Sequence, residues 1–185
     1  MDLVAWFEKG MTFEDYVNSM KVNQQEVNRV YDQVSFTEDD LTLFKTIANR
    51  KWKGIVLTAD WCGDAALCVP VVQRMAEECQ IELHFLIRDE NLELMDQYLT
   101  NGKSRAIPIF IFIDQEANES CVWGPRSLEV EEMVQALRAG LPASDSADFQ
   151  EKQQNMYRQF KEKITTDSTV WRTVIESVKA KLQGK

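Results

Sequence analysis

The sequence predicts an α/β fold in which a four-stranded mixed sheet is flanked by helices. Short runs of β-branched and aromatic residues alternate with amphipathic segments along the middle of the chain. The last two of these runs are separated only by the polar turn 114–118. Strands joined through helices can lie parallel, whereas strands joined by a short turn form an antiparallel hairpin. Helices that pack on the sheet then bury its apolar side chains.

Length and composition suit one folded domain with flanking pieces. Of the 185 residues, 44% are hydrophobic and 28% are charged. The net charge is −9 and no basic patch is visible, so we expect neither nucleic acid nor a membrane surface as a partner. The N-terminus shows no signal-peptide pattern and no stretch has transmembrane length, so we expect a cytoplasmic protein. The oligomeric state stays open.

Helix signals fill the first 52 residues, which we predict to be an N-terminal helical extension. Leu3, Val4 and Phe7 form an apolar stripe that ends at Gly10. Three residue pairs have the spacing of a capping box, in which side chains satisfy the free N–H groups of a helix start. These pairs are Thr12 with Asp15, Asn23 with Glu26, and Thr37 with Asp40. We expect the helices to cover the sheet; a surface that recognises client proteins is the alternative.

Strands and helices alternate between residues 53 and 140, the predicted central domain. We predict strands at 54–59, 81–87, 109–113 and 120–123, and helices at 62–78, 91–100 and 128–139. Asn101 and Gly102 suit the end of the second helix, because glycine readily takes the left-handed conformation there. In the C-terminal extension, 141–185, two apolar stripes predict two helices or one kinked helix packed on the core. A partner or dimerisation helix is the alternative.

Cys62 lies where the first predicted strand gives way to a helix. The free N–H groups and the positive end of the helix dipole stabilise a thiolate, which lowers the pKa of a cysteine from about 8.5 toward about 7. The thiolate is the nucleophile, so Cys62 is the candidate catalytic residue. Asp60 and Asp64 flank it, and a nearby negative charge raises a thiol pKa. The sign of the net shift therefore stays open.

Segment 58–70 resembles the active-site strand, loop and helix of the thioredoxins. Their W-C-G-P-C pattern, with a proline eight residues after the first cysteine, is met at Trp61, Cys62, Gly63 and Pro70. Asp64 stands where the family usually has proline. Ala65 stands where the second, resolving cysteine is usual. The motif is therefore C-x-x-A.

The resemblance covers about half of the chain, from 53 to 140, and implies a thioredoxin fold. Arg105-Ala106-Ile107-Pro108 is similar to the family's R-G-I-P, whose proline is cis and lies against the reactive sulfur. Gly124 follows Pro108 by the family's sixteen residues. The W-C-G-D motif, together with W-G-P-R at 123–126, is similar to a bacterial thioredoxin-like group that often lacks the second cysteine.

This resemblance implies a monothiol thiol–disulfide oxidoreductase. Cys62 would form a mixed disulfide, and a low-molecular-weight thiol or the disulfide-bearing protein client would release it, because Ala65 cannot. We expect the active-site shell to contain Trp61, Gly63, Asp64, Ala65, Ile107, Pro108, Gly124 and Arg126. Arg126 is expected to offset the charge of the flanking acids. Three further cysteines, Cys68, Cys79 and Cys121, are expected to be packing residues.

Two other interpretations stay open. The first is a thioredoxin-fold binding module that has lost dithiol chemistry and holds a peptide on a shelf of Trp61, Ile107 and Pro108. The second is an engineered trap, in which Ala65 replaces the resolving cysteine of a dithiol enzyme. Val56 stands where many thioredoxins carry a buried acid, which weighs against the trap. No phosphate loop, metal-ligand spacing or serine triad is present, so neither a cofactor nor a metal is expected.

Overall fold

The computed structural model describes residues 1–184. Within them, one sheet contains β1 (Lys53–Thr58), β2 (Glu82–Ile87), β3 (Ile109–Ile113) and β4 (Glu119–Trp123). Its strand order is β2-β1-β3-β4; β1 and β2 are parallel, and the other two pairs are antiparallel. The predicted four-stranded mixed sheet with flanking helices is confirmed. Lys185, the last residue of the predicted C-terminal extension, lies outside the described residues.

Helices surround this sheet. They are α1 (Leu3–Lys9), α2 (Phe13–Ser19), α3 (Gln24–Gln33), α4 (Glu38–Ala48), α5 (Gly63–Glu78), α6 (Leu92–Met95), α7 (Leu128–Ala139), α8 (Phe149–Thr166) and α9 (Ser168–Leu182). Helix α5 is central, since α3, α4, α8 and α9 all contact it. One hydrophobic core includes side chains from both extensions and from the sheet. The division at 52 and 140 stays a prediction.

The two central strands are apolar along almost their whole length because they have a neighbour on each side. Every residue of β3 is buried, and so is every residue of β1 after Lys53. The edge strands β2 and β4 are less completely buried. Outside the sheet proper, Met11 pairs with Phe85 of β2 through two backbone hydrogen bonds of 2.9 and 2.8 Å. The N-terminal extension therefore contacts the outer edge of the sheet.

All three predicted N-cap residues stand at helix starts, and in two of them the side chain makes its capping bond. Thr37 and Asp40 form a complete capping box at α4, since each side chain accepts the other's backbone N–H. At α2 the Thr12 side chain accepts the N–H of Asp15, but the reciprocal bond to the backbone is absent from the described contacts. The local sequence therefore located these starts.

The predicted capping role of the Asn23 side chain is wrong. Asn23 precedes α3 in a left-handed conformation, with φ of 59°, and its side chain makes no capping bond. Its amide instead donates to the backbone carbonyl of Asp60 at 2.8 Å. The Asp60 carboxylate in turn accepts the backbone N–H groups of Lys21 and Val22. These bonds fasten the N-terminal extension to the loop that carries Cys62.

The predicted helix 91–100 is much shorter than expected. A single 3₁₀ turn, Arg88–Glu90, leads into the four-residue α6. After α6 the backbone forms hydrogen bonds to carbonyls three residues back: the N–H groups of Gln97 and Tyr98 donate to the carbonyls of Leu94 and Met95. A bridge between residues 100 and 104 then closes the loop. Asn101 and Gly102 are both left-handed, as expected of a chain reversal, but they lie in this loop and not at a helix end.

The C-terminal extension forms two helices, α8 and α9, which pack back on the core. Helix α9 contacts α5, α7 and β4, while α8 contacts α3, α5 and α7. The two helices meet where the Trp171 indole donates to the Ile164 carbonyl at 2.7 Å. None of the helices within residues 1–184 combines the length and apolar character that crossing a bilayer demands.

A buried ion cluster joins α9 to α4. Asp40 is fully buried and accepts hydrogen bonds from both terminal nitrogens of Arg172 and, at 2.6 Å, from Lys179. The Arg172 guanidinium, together with Lys179, holds the pKa of Asp40 well below its usual range. This carboxylate therefore belongs both to a helix cap and to the contact between the two ends of the chain.

Candidate active site

Cys62 is the N-cap of α5, four residues after the end of β1. Its backbone is extended, and its carbonyl accepts the first helical hydrogen bond, from Ala66 at 3.0 Å. The backbone N–H groups of Asp64 and Ala65 lower the pKa of its thiol, although the side chain makes no capping hydrogen bond. The structure therefore gives Cys62 the strand-to-helix position that the sequence predicted.

Two distant segments meet the sulfur or its neighbours. The Cys62 thiol donates a 3.4 Å hydrogen bond to the carbonyl of Ile107, and the Ile107–Pro108 peptide bond is cis. Gly124 lies against the same segment with φ of 130°; a Cβ there would be 2.2 Å from the Pro108 carbonyl oxygen. Only glycine fits this close approach of two backbones. The residues expected around the sulfur at 107, 108 and 124 are thus brought together.

The thiol of Cys62 is buried and weakly acidic, so the pKa shift whose sign the sequence left open is upward. Only 9% of the residue is exposed. Burial and the Asp64 carboxylate raise the pKa of Cys62 to about 11, against the lowering effects of the Ala65 and Asp64 N–H groups and of Arg126. The N–H groups at the helix start therefore lower the pKa of Cys62, but desolvation raises it by more.

Arg126 and Asp64 form a pair beside the thiol. The guanidinium is 2.7 Å from the carboxylate, and the two side chains are 13% and 14% exposed. A second nitrogen of Arg126 pairs with Glu131 at 3.0 Å. Burial raises the pKa of Asp64 even though Arg126 opposes it. Among the described residues, Asp64 Oδ1 and Arg126 Nε have no hydrogen-bond partner.

The expected peptide shelf is only partly open. Trp61 is 51% exposed, and the Arg88 guanidinium lies 4.8 Å from its ring centroid. Arg88 also donates to the carbonyl of Arg105 at 3.1 Å, so it links Trp61 to the segment before Pro108. The side chains of Ile107 and Pro108 are buried. Trp61 is therefore the accessible apolar surface on this side of Cys62.

A cleft of about 440 Å³ opens beside Trp61 and Cys62, between the start of α5 and helices α7 and α8. Gly63 lies under α8, since a Cβ on it would be 3.0 Å from the Phe160 ring. The apolar lining comes from Val134, Leu137, Met156, Phe160 and Ile164. The apolar stripe of α8 predicts a helix that packs on the core. The position of this helix beside Cys62 was not predicted, because periodicity tells which face of a helix is buried but not which residues lie against it.

The other expected site residue, Ala65, is buried one turn into α5 and carries no reactive group. All four cysteines are free. Cys68 is buried, and its sulfur points to the carbonyl of Pro125 at 3.7 Å. Burial raises the pKa of Cys79 to about 12 and that of Cys121 to about 11. Within residues 1–184, no group of three or more His, Cys, Asp or Glu side chains could hold a metal ion.

Comparison with known proteins identifies the family. A family model described as Thioredoxin matches residues 10–138. This chain belongs to the thioredoxin family. Thioredoxin H4-2 from Oryza sativa subsp. japonica is 34% identical to it over 95 residues, which cover 50% of this chain and 70% of that protein. Membership suggests that this thioredoxin-family protein has thiol–disulfide oxidoreductase activity.

Two solved structures resemble this thioredoxin-family protein along its whole length. A protein of unknown function from Pseudomonas aeruginosa has a TM-score of 0.73 and 18% identity, and covers 100% of this chain and 98% of its own. An HIV epitope-scaffold has a TM-score of 0.69 and 17% identity, with 100% and 99% covered. At such identities the likeness shows the fold alone. That shared fold includes the helices on both sides of the sheet.

Proposed function

We propose that this protein is a monothiol thiol–disulfide oxidoreductase that reacts through a mixed disulfide at Cys62. The observation that carries the proposal is the surroundings of the sulfur. Cys62 is the N-cap of α5, its thiol donates to the Ile107 carbonyl beside the cis Ile107–Pro108 bond, and the side chain one helical turn away is the methyl group of Ala65. Cys68 points to a carbonyl instead. These features support one reactive thiol without an internal partner.

The reaction follows from this arrangement. The Cys62 thiolate attacks one sulfur of a disulfide, a new S–S bond forms at Cys62, and the other sulfur leaves as a thiolate that takes a proton from water. Because Ala65 has no sulfur, an external thiolate must attack the mixed disulfide to release Cys62. The proposed partners are therefore disulfide-bearing proteins or low-molecular-weight thiols. Four free cysteines suit a reducing compartment such as the cytoplasm, and the W-C-G-D motif suits the bacterial group.

The high pKa makes this thiol slow. At pH 7 a thiol of pKa about 11 is ionised in about one molecule in ten thousand. A more basic thiolate is a better nucleophile, but with a Brønsted slope of about 0.45 this recovers only part of the loss, leaving exchange roughly 25-fold slower than for an ordinary cysteine. We therefore expect measurable but slow exchange at neutral pH.

The same observation favours a second candidate, a thioredoxin-fold binding module. A buried thiol of high pKa is typical of a packing residue, and the exposed Trp61 beside it offers an apolar contact for a peptide. In this candidate Cys62 would not exchange with a disulfide in the native protein. The two candidates therefore differ in a single measurable reaction.

Mass spectrometry distinguishes them. The native protein is incubated with the neutral disulfide of 2-mercaptoethanol, quenched with acid and digested. The enzyme predicts one adduct, on Cys62, that excess reduced thiol reverses and that Cys62→Ser abolishes. An unmodified Cys62 after incubation at pH 9, where more thiolate is present, would contradict the proposal and favour the binder. Insulin reduction should be weak in either case, and rapid turnover would contradict our interpretation of Ala65.

A further inference from the structure

We propose that the cleft beside Cys62 binds a low-molecular-weight thiol that carries a negative charge, and that this thiol supplies the resolving sulfur. The inference deepens the proposed function, on which it rests, by assigning the external thiol a site and a chemical class. It starts from the fact that Cys62 lines a cleft whose far wall belongs to α8.

The dimensions and lining of the cleft suit a small molecule. Its volume of about 440 Å³ lies within the usual range of about 300–1,000 Å³ for small-ligand sites. Apolar side chains of α7 and α8, together with Trp61 and Ala66, form much of the lining, while a few polar groups lie among them, as in many ligand pockets. Phe160 lies close over Gly63, so α8 forms one wall of the cleft beside Cys62.

The charges that line the cleft run against the charge of the protein as a whole. Although the net charge is −9, three cations and one carboxylate line it: Arg126, Arg138, Lys161 and Asp64. Glu131 and Glu26 pair with Arg126 and Lys161 but are not part of the lining. Arg138 makes no ion pair with any residue in 1–184. Arg138 is therefore an unpaired cation in the cleft that is available to bind an anion.

Burial orders these charges along the cleft. Asp64 and Arg126 are mostly buried next to Cys62, whereas Arg138 and Lys161 are exposed. Asp64 disfavours an anion next to the sulfur, and the two exposed cations favour one at the mouth. A ligand that fits both conditions has its thiol near Cys62, an apolar body along the α8 wall and its carboxylate, sulfonate or phosphate at the mouth.

The reaction balances with this thiol, RSH, as the only reductant. In a client–S–S–R disulfide, the Cys62 thiolate attacks the sulfur of R; the Cys62–S–R bond forms and the client leaves as its thiolate, which water protonates. A second RSH, after losing its proton, attacks the sulfur of R on Cys62, so R–S–S–R leaves and the Cys62 thiolate returns. The sum is client–S–S–R plus RSH giving client–SH plus R–S–S–R.

Three thiols of similar size and different charge test the inference: 2-mercaptoethanesulfonate, 2-mercaptoethanol and cysteamine. Each releases Cys62 from its mixed disulfide with 2-mercaptoethanol, and each rate is divided by the rate of the same thiol with hydroxyethyl disulfide in solution, which corrects for thiol pKa. We expect the anionic thiol to exceed the cationic one by about tenfold, and about 0.5 M NaCl to reduce the difference.

Variants separate the cleft from general electrostatics. Arg138→Gln removes the unpaired cation and leaves no carboxylate without its ion-pair partner. The double variant Glu26→Gln/Lys161→Gln removes a complete ion pair. Each should reduce the anion preference several-fold. The control is Lys152→Gln. Lys152 lies on α8, like Lys161, but pairs with Asp148 outside the cleft, so this variant should retain the anion preference. Equal rates for the three thiols, or an equal loss in Lys152→Gln, would overturn this inference while the Cys62 adduct still supported the oxidoreductase. If Cys62 formed no adduct at all, both the oxidoreductase proposal and the proposed thiol site would be wrong.

Discussion

The Arg126 guanidinium donates a 2.7 Å hydrogen bond to the Asp64 carboxylate, which lies two residues after Cys62, and both side chains are largely buried. The two members of this pair act on the thiol in opposite directions. Asp64 raises the pKa of Cys62 and Arg126 lowers it, while burial adds to the effect of Asp64. Substitutions in the pair therefore change the acidity of the thiol without moving it from the helix start.

Asp64→Asn should lower the pKa of Cys62 and speed its alkylation. The substitution removes the negative charge that opposes ionisation but keeps a side chain of similar size. A decrease of about one pKa unit would raise the thiolate fraction at pH 7 about tenfold and, because a less basic thiolate is a weaker nucleophile, the rate about threefold. The measurement is the rate of alkylation by iodoacetamide against pH, which in the wild type should keep rising to about pH 11. Glu131→Gln, which alters the outer partner of Arg126, is the control and should change the rate little.

Arg126→Gln should raise the pKa of Cys62 when it is made in the Asp64→Asn background. In the wild type its removal would also leave Asp64 buried without its cation, and a protonated Asp64 would mask the effect. The double variant is free of this compensation, so only the loss of attraction to the thiolate remains. Its alkylation rate at pH 7 should fall below that of Asp64→Asn. An equal or faster rate would show that Arg126 does not act on the thiol.

Ala65→Cys should create a dithiol that closes to a disulfide with Cys62. Cys62 is the N-cap of α5, and the side chain of residue 65 lies one helical turn after it. Mild oxidation should remove two hydrogens from the mass, and the variant should reduce insulin faster than the wild type. The Cys62→Ser/Ala65→Cys variant controls for reaction of the new thiol alone. A variant whose two thiols stay free under oxidation would place residue 65 differently from the structure.

Asp40→Asn should destabilise the protein by about 3 kcal/mol at pH 7, because it leaves two cations without their buried carboxylate. The pKa of Asp40 is lower in the folded than in the unfolded chain, so its ionisation stabilises the fold above about pH 4. This contribution is lost as the pH falls through the folded pKa, and the difference between variant and wild type should shrink there. Urea unfolding from pH 7 to pH 2 measures it, with the exposed neighbour Asp39→Asn as control.

Local patterns in the sequence predicted most of the fold. The boundaries of β3 and α7 were predicted without error, since a continuous apolar run and a capped amphipathic segment each carry their own signals. The strand-to-helix position of Cys62 followed from the same kind of signal. The helix predicted at 91–100 was wrong beyond Met95, where the backbone continues with hydrogen bonds to carbonyls three residues back and no local breaker marks the change.

What the sequence could not predict depends on partners far apart in the chain. Asp40 matches an ordinary capping-box acid, yet its partner Arg172 is 132 residues away. Cys62 has the helix-start position that favours an ionised thiol, but burial in the packed interior and the Asp64 carboxylate raise its pKa. The cleft likewise needs α8 to fold back over Gly63. Each of these features arises from packing between elements, which periodicity and spacing do not encode.

The pairing of Met11 with Phe85 has a consequence for how copies of this protein meet. An edge strand with free N–H and C=O groups is a template for adding a strand from another molecule, which is a common route to aggregation. Met11 occupies such groups on β2, and Gly10 permits the approach because a Cβ there would be 2.8 Å from the Cβ of His84. We therefore expect the N-terminal residues to prevent a strand of another molecule from pairing with β2 at this position.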